Sequence, residues 1–156
     1  MVELCRVDDR MLHGQVAVSW VNQVSPDAIL IANDEAATDE MSKLAFKMAK
    51  PAGVKLAIKT VQGAIDLMND PRTEKTKIFL ITKTVKDCLT LVKGTNGKIS
   101  EVNIGGVKKR ENCRQALANV WLNDEDLEII RELTELANVE FQMVPSENKT
   151  DAKKML

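Results

Sequence analysis

The chain contains no tyrosine, and its two tryptophans and three phenylalanines bring aromatic residues to only 3% of the 156 residues. A platform on which bases or sugar rings stack has little to be built from. The net charge of -1 argues against a general affinity for nucleic-acid phosphates. Cysteine is scarce and odd in number: Cys5, Cys88 and Cys113 stand far apart, and no pair has the spacing of a zinc site or a redox motif. Three reduced thiols in a cytoplasmic protein is the simplest reading, and no metal site is expected. No basic segment followed by an apolar one opens the chain, and no apolar run approaches the ~18 residues of a membrane span. No glycine-rich Lys-Ser/Thr loop is present either, which excludes a Walker-type nucleotide site.

What is present is a globular balance, with 44% hydrophobic and 29% charged residues, in a length that suits one domain over 1–156. Short apolar runs read as strands at 2–7, 27–32, 54–59, 77–82, 99–105 and 139–144. Between them the sequence takes a helical period. Ala17, Trp20, Val21 and Val24 share one face, as do Ala37, Met41, Leu44, Ala45 and Met48. Val61, Ala64, Ile65 and Met68 form another such face, then Val85, Cys88, Leu89 and Val92. A longer helix over about 124–137 buries Leu127, Ile130, Leu133 and Ala137, with Asn123 as its N-cap. The least regular part, 105–122, can hold a loop, a short helix and an extra strand near "ANVW". Continuous apolar strands alternating with amphipathic helices predict an α/β fold, a three-layer α/β/α sandwich around a mainly parallel sheet of six or seven strands.

In such a sheet ligands gather at the carboxyl ends of the strands. "RVDDRMLHGQV" (6–16) follows the first strand and holds the only histidine, His13. "NDEAATD" (33–39), "TKT" (82–84) and "GGVKKR" (105–110) follow later strands, so four loops converge on one rim. If a helix starts near Gly14, the amides of Gly14, Gln15 and Val16 point at whatever His13 carries, and helix N-termini favour phosphate. Gly14 removes a side chain where an anion must come close. Arg10 can balance phosphoryl oxygens, and Asp8 or Asp9 can hold the imidazole or the arginine. These parts suit a histidine that accepts and passes on a phosphoryl group. The residue types alone also suit a structural histidine, an Arg–Asp salt bridge and, at Lys108, Lys109 and Arg110, an ordinary solvated loop. Both readings stand at this point.

The run "RVDDRMLHGQV" resembles the active-site segment of the enzyme IIB component of the mannose/fructose/sorbose-type sugar phosphotransferase system. That family opens with a strand and an Arg-x-Asp-Asp-Arg-Leu-x-His-Gly-Gln-Val loop, matched here by Arg6, Asp8, Asp9, Arg10, His13, Gly14, Gln15 and Val16. "NDEAATD", "VNIGG" (102–106) and "LNDEDLE" resemble further markers of the family, in order along nearly the whole chain. Met11 stands where leucine or isoleucine is usual, and Asn33 where serine is common.

The resemblance implies a cytoplasmic phosphocarrier. His13 would take a phosphoryl group from a phosphorylated IIA component and give it to a sugar held by the IIC/IID membrane components. Asp8 and Arg10 would support the transfer, with Asp9, Gly14, Gln15, Val16, Thr82, Lys83 and Thr84 around the phosphoryl group. The implied sandwich has its first strand between the fourth and fifth, which would bring Thr82–Thr84 and Asn103–Gly106 beside His13. Phosphohistidine is high in transfer potential, so no cofactor is called for. No nucleic acid or membrane insertion is expected. The rim is the expected docking surface for the IIA component, with Lys108, Lys109 and Arg110 as its attractive charges. Two alternatives remain: a regulatory phosphoprotein without transport, and a small hydrolase or lyase using His13 with Asp9 as acid and base. The sequence names no sugar and leaves the oligomeric state open, a homodimer included.

Overall fold

Along the strands, successive side chains enter two different cores. Leu30, Leu80, Cys5 and Val7 belong to one apolar cluster, while Ile29, Ile31, Phe79 and Ile81 belong to another. This is the signature of a sheet covered on both sides. A computed structural model describes residues 1–156. Its strands are β1 (Val2–Asp8), β2 (Ala28–Ala32), β3 (Lys55–Lys59), β4 (Ile78–Thr82), β5 (Glu101–Gly106), β6 (Arg114–Leu117), β7 (Val120–Leu122), β8 (Asn138–Phe141) and β9 (Thr150–Asp151). Its α-helices are α1 (Gly14–Val24), α2 (Asp34–Thr38), α3 (Glu40–Ala49), α4 (Val61–Asn69), α5 (Val85–Gly94) and α6 (Asp124–Leu136).

Seven strands form the main sheet in the order β3-β2-β4-β1-β5-β8-β9, all parallel except β9, which pairs antiparallel with β8. The predicted α/β/α sandwich and central first strand are both present. From β1 the chain steps outward to β2 and β3, then turns back to β4, β5 and β8. Right-handed crossovers therefore put α1, α2 and α3 on one face and α4, α5 and α6 on the other. The first face packs Ala17, Trp20 and Phe46 onto the sheet; the second packs Val61, Ile65, Val85, Leu91, Ile130 and Leu133.

Several local expectations are revised. The helix expected from Ala37 to Met48 is two, because Asp39 is extended (φ -102°, ψ 109°) and caps α3 through its own carboxylate. The face of α3 expected to be buried points outward instead: Met41, Leu44 and Met48 are exposed, and Phe46 is the residue that packs inward. The last parallel strand stops at Phe141, and Gln142 and Met143 turn away to meet β1. The irregular segment holds a hairpin, β6 with β7, and no short helix, because its backbone hydrogen bonds go to strand pairing.

Asn123 does cap α6. Its side chain accepts from the Asp126 amide at 2.8 Å, and Asp126 returns the contact to the Asn123 amide at 3.0 Å. Such a reciprocal cap satisfies two amides that the helix cannot. Asn123→Ala is expected to lower the unfolding free energy by about 1 kcal/mol. Urea denaturation should show an earlier midpoint with an unchanged slope. An unmoved midpoint would mean that Asp126, also held by Arg110 at 2.6 Å, secures this end alone.

Candidate active site

The site begins with a charge where the sequence pattern calls for an apolar residue. Arg6 sits inside β1 and is buried. Its Nη1 donates to the Asn103 side-chain oxygen and to the Gln142 carbonyl (3.1 Å), and its Nη2 to Asp8 (3.0 Å) and the Met143 carbonyl (2.9 Å). The guanidinium also lies 5.0 Å from the Trp20 ring centre, and Trp20 Nε1 donates to the same Met143 carbonyl. Burial pushes the Arg6 pKa down, and the Asp8 carboxylate opposes that shift. Only Nε lacks an acceptor. The neighbouring strand makes room through Gly105, where a Cβ would stand 2.1 Å from Arg6 Nη1.

Two residues on, and so on the same side of the strand, Asp8 receives this charge. Its Oδ2 accepts from Arg6, and its Oδ1 accepts from the Arg10 amide at 2.9 Å. Oδ2 also meets His13 Nε2 at 3.0 Å. A carboxylate only accepts hydrogen bonds, so Nε2 carries a proton, and in the neutral ring the lone pair is on Nδ1. The His13 side chain is 20% exposed and has no other protein partner.

His13 is the N-cap of α1, in extended conformation (φ -151°, ψ 137°), and its carbonyl accepts the first helical bond, from Ala17. The amides of Gly14, Gln15 and Val16 bond to no protein acceptor. Gly14 has φ +41°, and a Cβ there would touch nothing within 4 Å. Its positive φ calls for glycine.

The remaining expected residues divide. The Asp9 amide donates to the Gly106 carbonyl at 3.0 Å, while its carboxylate does not engage His13. The Arg10 side chain is exposed and makes no hydrogen bond. It faces a shallow cavity of about 370 Å³ shared with Asp8, Asp9, Lys108, Lys109 and Trp121. Thr82 is corrected: it is fully buried, and its hydroxyl donates to the Ala32 carbonyl at 2.8 Å, so it cannot serve an anion. The Thr84 hydroxyl accepts from the Asp87 amide and caps α5. Lys83 and Thr84 line a second cavity, about 160 Å³, with Asp9, Lys108, Arg110 and Asp126. The expected basic triplet is also divided. The hydrogen bond from Arg110 to Asp126 raises its pKa and ties it to the α6 cap, and Lys109 lies over Trp121 at 5.0 Å. The largest cavity, about 500 Å³, contains no residue of the His13 loop and lies over the open sheet between α1 and β8. The reactive groups sit on the rim, not in the deepest hollow.

A buried arginine orienting an aspartate that orients a partly exposed imidazole is joined by relatives in sequence and structure. The family described as "PTS system sorbose subfamily IIB component" matches residues 2–156. A probable phosphotransferase enzyme IIB component of Streptococcus pyogenes is 34% identical, across 100% of this chain and 99% of that protein. An N-acetylgalactosamine-specific phosphotransferase enzyme IIB component of Escherichia coli is 33% identical, across 99% and 98%. The crystal structure of the IIBSor domain of the Klebsiella pneumoniae sorbose permease superposes with a TM-score of 0.94 at 28% identity, covering 99% of this chain and 95% of that one. The chain belongs to the sorbose-subfamily IIB components of the sugar phosphotransferase system.

PTS IIB components are phosphotransferase components that transfer phosphate to sugar. No helix of this IIB chain is long and apolar enough to cross a membrane. The resemblance read from the His13 loop therefore holds for the family and the fold. Sequence reasoning passed over the service Arg6, Asn103 and Gln142 perform. The signal was available: an arginine amid apolar strand residues, spaced by two from an aspartate, places opposite charges on one side of the strand.

Gly105→Ala tests the arrangement. The added methyl forces the guanidinium out of its bonds, and overpacking of this kind costs about 1–3 kcal/mol. The urea midpoint should fall by that amount, and the His13 ring resonances should lose their single sharp environment. Gly106→Ala, whose Cβ would meet only the Asp9 and Asp8 carboxylates at 3.1 and 3.3 Å, should cost less. Equal stability of Gly105→Ala and the unaltered protein would show that Arg6 is not held as described.

Proposed function

We propose that His13 carries the phosphoryl group, on Nδ1, between the phosphorylated IIA component and a sugar presented by the IIC/IID membrane components on the cytoplasmic side. The observation that carries this reading is the hydrogen bond from His13 Nε2 to Asp8, which leaves Nδ1 free as the nucleophile on the residue that caps α1, whose first three amides are unengaged. A carboxylate that fixes an imidazole tautomer is a recurrent way of aiming one nitrogen.

Transfer then needs positioning and charge stabilisation. The lone pair of Nδ1 attacks phosphorus, the N–P bond of the donor histidine breaks, and the phosphorylated ring keeps its Nε2–H against Asp8. The amides of Gly14, Gln15 and Val16 and the free guanidinium of Arg10 receive the phosphoryl oxygens. In the second step a sugar hydroxyl attacks phosphorus as the His13 Nδ1–P bond breaks, and its proton passes to solvent. The leaving ring departs as neutral imidazole, because Nε2 is already protonated. The shallowness of the rim suits this exchange, since both partners are protein-sized and must reach one nitrogen. Lys108 and Lys109 add to the positive side of the same cavity and would speed encounter with acidic surfaces. Lys83 and Thr84 border it on the second cavity.

A hydrolase or lyase is less well supported. Asp9, its required second group, makes no contact with His13, and the loop stands over no enclosed substrate chamber.

Incubation with phosphorylated IIA component should label the protein with acid-labile, base-stable phosphate, and nitrogen NMR should place it on Nδ1. His13→Ala should take up none. Label that persists in that variant, or that resides on Nε2, would overturn the assignment.

Arg10→Lys keeps the charge but loses the planar fork that can grip two phosphoryl oxygens. Phosphate uptake should survive, while transfer to sugar in membranes with the IIC/IID components should fall ~10-fold or more. Wild-type transfer by Arg10→Lys would remove Arg10 from the mechanism.

A further inference from the structure

Helix α3 shows its apolar stripe to solvent. Met41 is 76% exposed, Leu44 54% and Met48 79%, and Ala45 between them is exposed as well. These positions follow the i, i+3, i+4, i+7 spacing of one helix face, opposite the buried Phe46. Single exposed apolar residues are ordinary, but a continuous stripe marks an interaction surface. Nothing in the phosphoryl-transfer site uses it.

The charges beside the stripe say what fits. Glu40 and Lys47 are seven residues apart, close to two helical turns, so they flank the stripe on the same side. Both are exposed, and Glu40 lends only a 3.5 Å contact to Lys43. An acid at the first turn and a base at the last form a pattern complementary to its own reversed copy. A two-fold axis near Leu44 would set Leu44 against Leu44 of the second copy and, each twice, Met41 against Met48 and Glu40 against Lys47. A parallel arrangement would instead set Glu40 against Glu40 and Lys47 against Lys47. Reversal also opposes the two helix dipoles.

We infer that the occupant of the α3 stripe is a second copy of this chain, packed antiparallel in an isologous contact. One helix face is smaller than the ~800 Å² per partner of a standard stable interface. The dimer is accordingly weak, with a Kd on the order of tens of micromolar.

Sedimentation velocity of the full chain from ~1 μM to ~1 mM, a range bracketing that affinity, tests the inference. A concentration-dependent dimer is expected. Leu44→Asp should raise Kd at least ~10-fold by burying a charge in the stripe. Glu40→Lys and Lys47→Glu should each weaken association ~3-fold or more, and their combination should restore it to near the original value. All three positions are exposed, so circular dichroism should show an unaltered fold; if Leu44→Asp misfolds, Met48→Lys supplies the same readout. A monomer at every concentration overturns the inference, including one that binds a IIA or membrane component through this stripe. So does a dimer indifferent to Leu44→Asp, or a double charge exchange that recovers nothing. Phosphate uptake by His13 should be unchanged in Leu44→Asp, which separates a failure here from a failure of the phosphocarrier reading.

Discussion

Everything at the rim depends on a cation buried under it. A guanidinium removed from water is costly unless its charge and its hydrogens are answered. Arg6 is answered by Asp8, by Asn103 and by the carbonyls of Gln142 and Met143. These partners come from β1, from its neighbour β5 and from the turn after β8, so one side chain fastens three parts of the chain. Trp20 extends the connection to α1 through the Met143 carbonyl. Removing one member of such a group leaves an uncompensated buried charge, typically worth about 3–5 kcal/mol. The cost of burying Arg6 is returned as order: Asp8 has no freedom to rotate away from His13.

That order matters because phosphoryl transfer between proteins offers the carrier few other means of control. The site is open, so water cannot be excluded until a partner docks. What the isolated chain can fix beforehand is which ring nitrogen is free and where it points. Asp8 fixes the first through Nε2, and the N-cap geometry of His13 fixes the second. In the proposed mechanism Arg10, whose exposed side chain makes no hydrogen bond, would meet the phosphoryl oxygens arriving with one partner and leaving with another. One buried arginine held by four contacts and one exposed arginine held by none divide the work between rigidity and accommodation.

The alternation of apolar strands and amphipathic helices made the sandwich legible, because burial on both faces of a parallel sheet leaves that period in the sequence. The His13 loop was legible through its resemblance to a family segment, since its residue types alone suit a structural histidine and an Arg–Asp salt bridge as well. Thr82 was misjudged for a physical reason: its place at the end of β4 suggests the rim, yet its hydroxyl is consumed by the Ala32 carbonyl of the adjacent strand. Strand position gives the edge of the sheet but not which side chains still have free donors there. The burial of Arg6 was obscured similarly, since its partners Asn103 and Gln142 lie far along the sequence and become neighbours only once β5 and β8 are in place. Periodicity also cannot tell an apolar stripe that meets the core from one that meets solvent, and α3 is the case where the two differ.

That difference bears on how the molecule works. The chain enters α2 and then α3 from the carboxyl end of β2, so α3 runs from the catalytic rim towards the opposite edge of the sheet. An antiparallel pairing along α3 therefore turns the two rims to opposite ends of the assembly. Each His13 stays accessible to a protein-sized donor, and neither copy screens the other from the cavity bordered by Arg10, Lys108 and Lys109. A parallel pairing would have crowded two positive rims together, where repulsion between them and obstruction of docking act in the same direction. The placement of the apolar stripe on the flank and the polar groups at the edge would let one small fold associate with itself while leaving free the surface proposed for transfer.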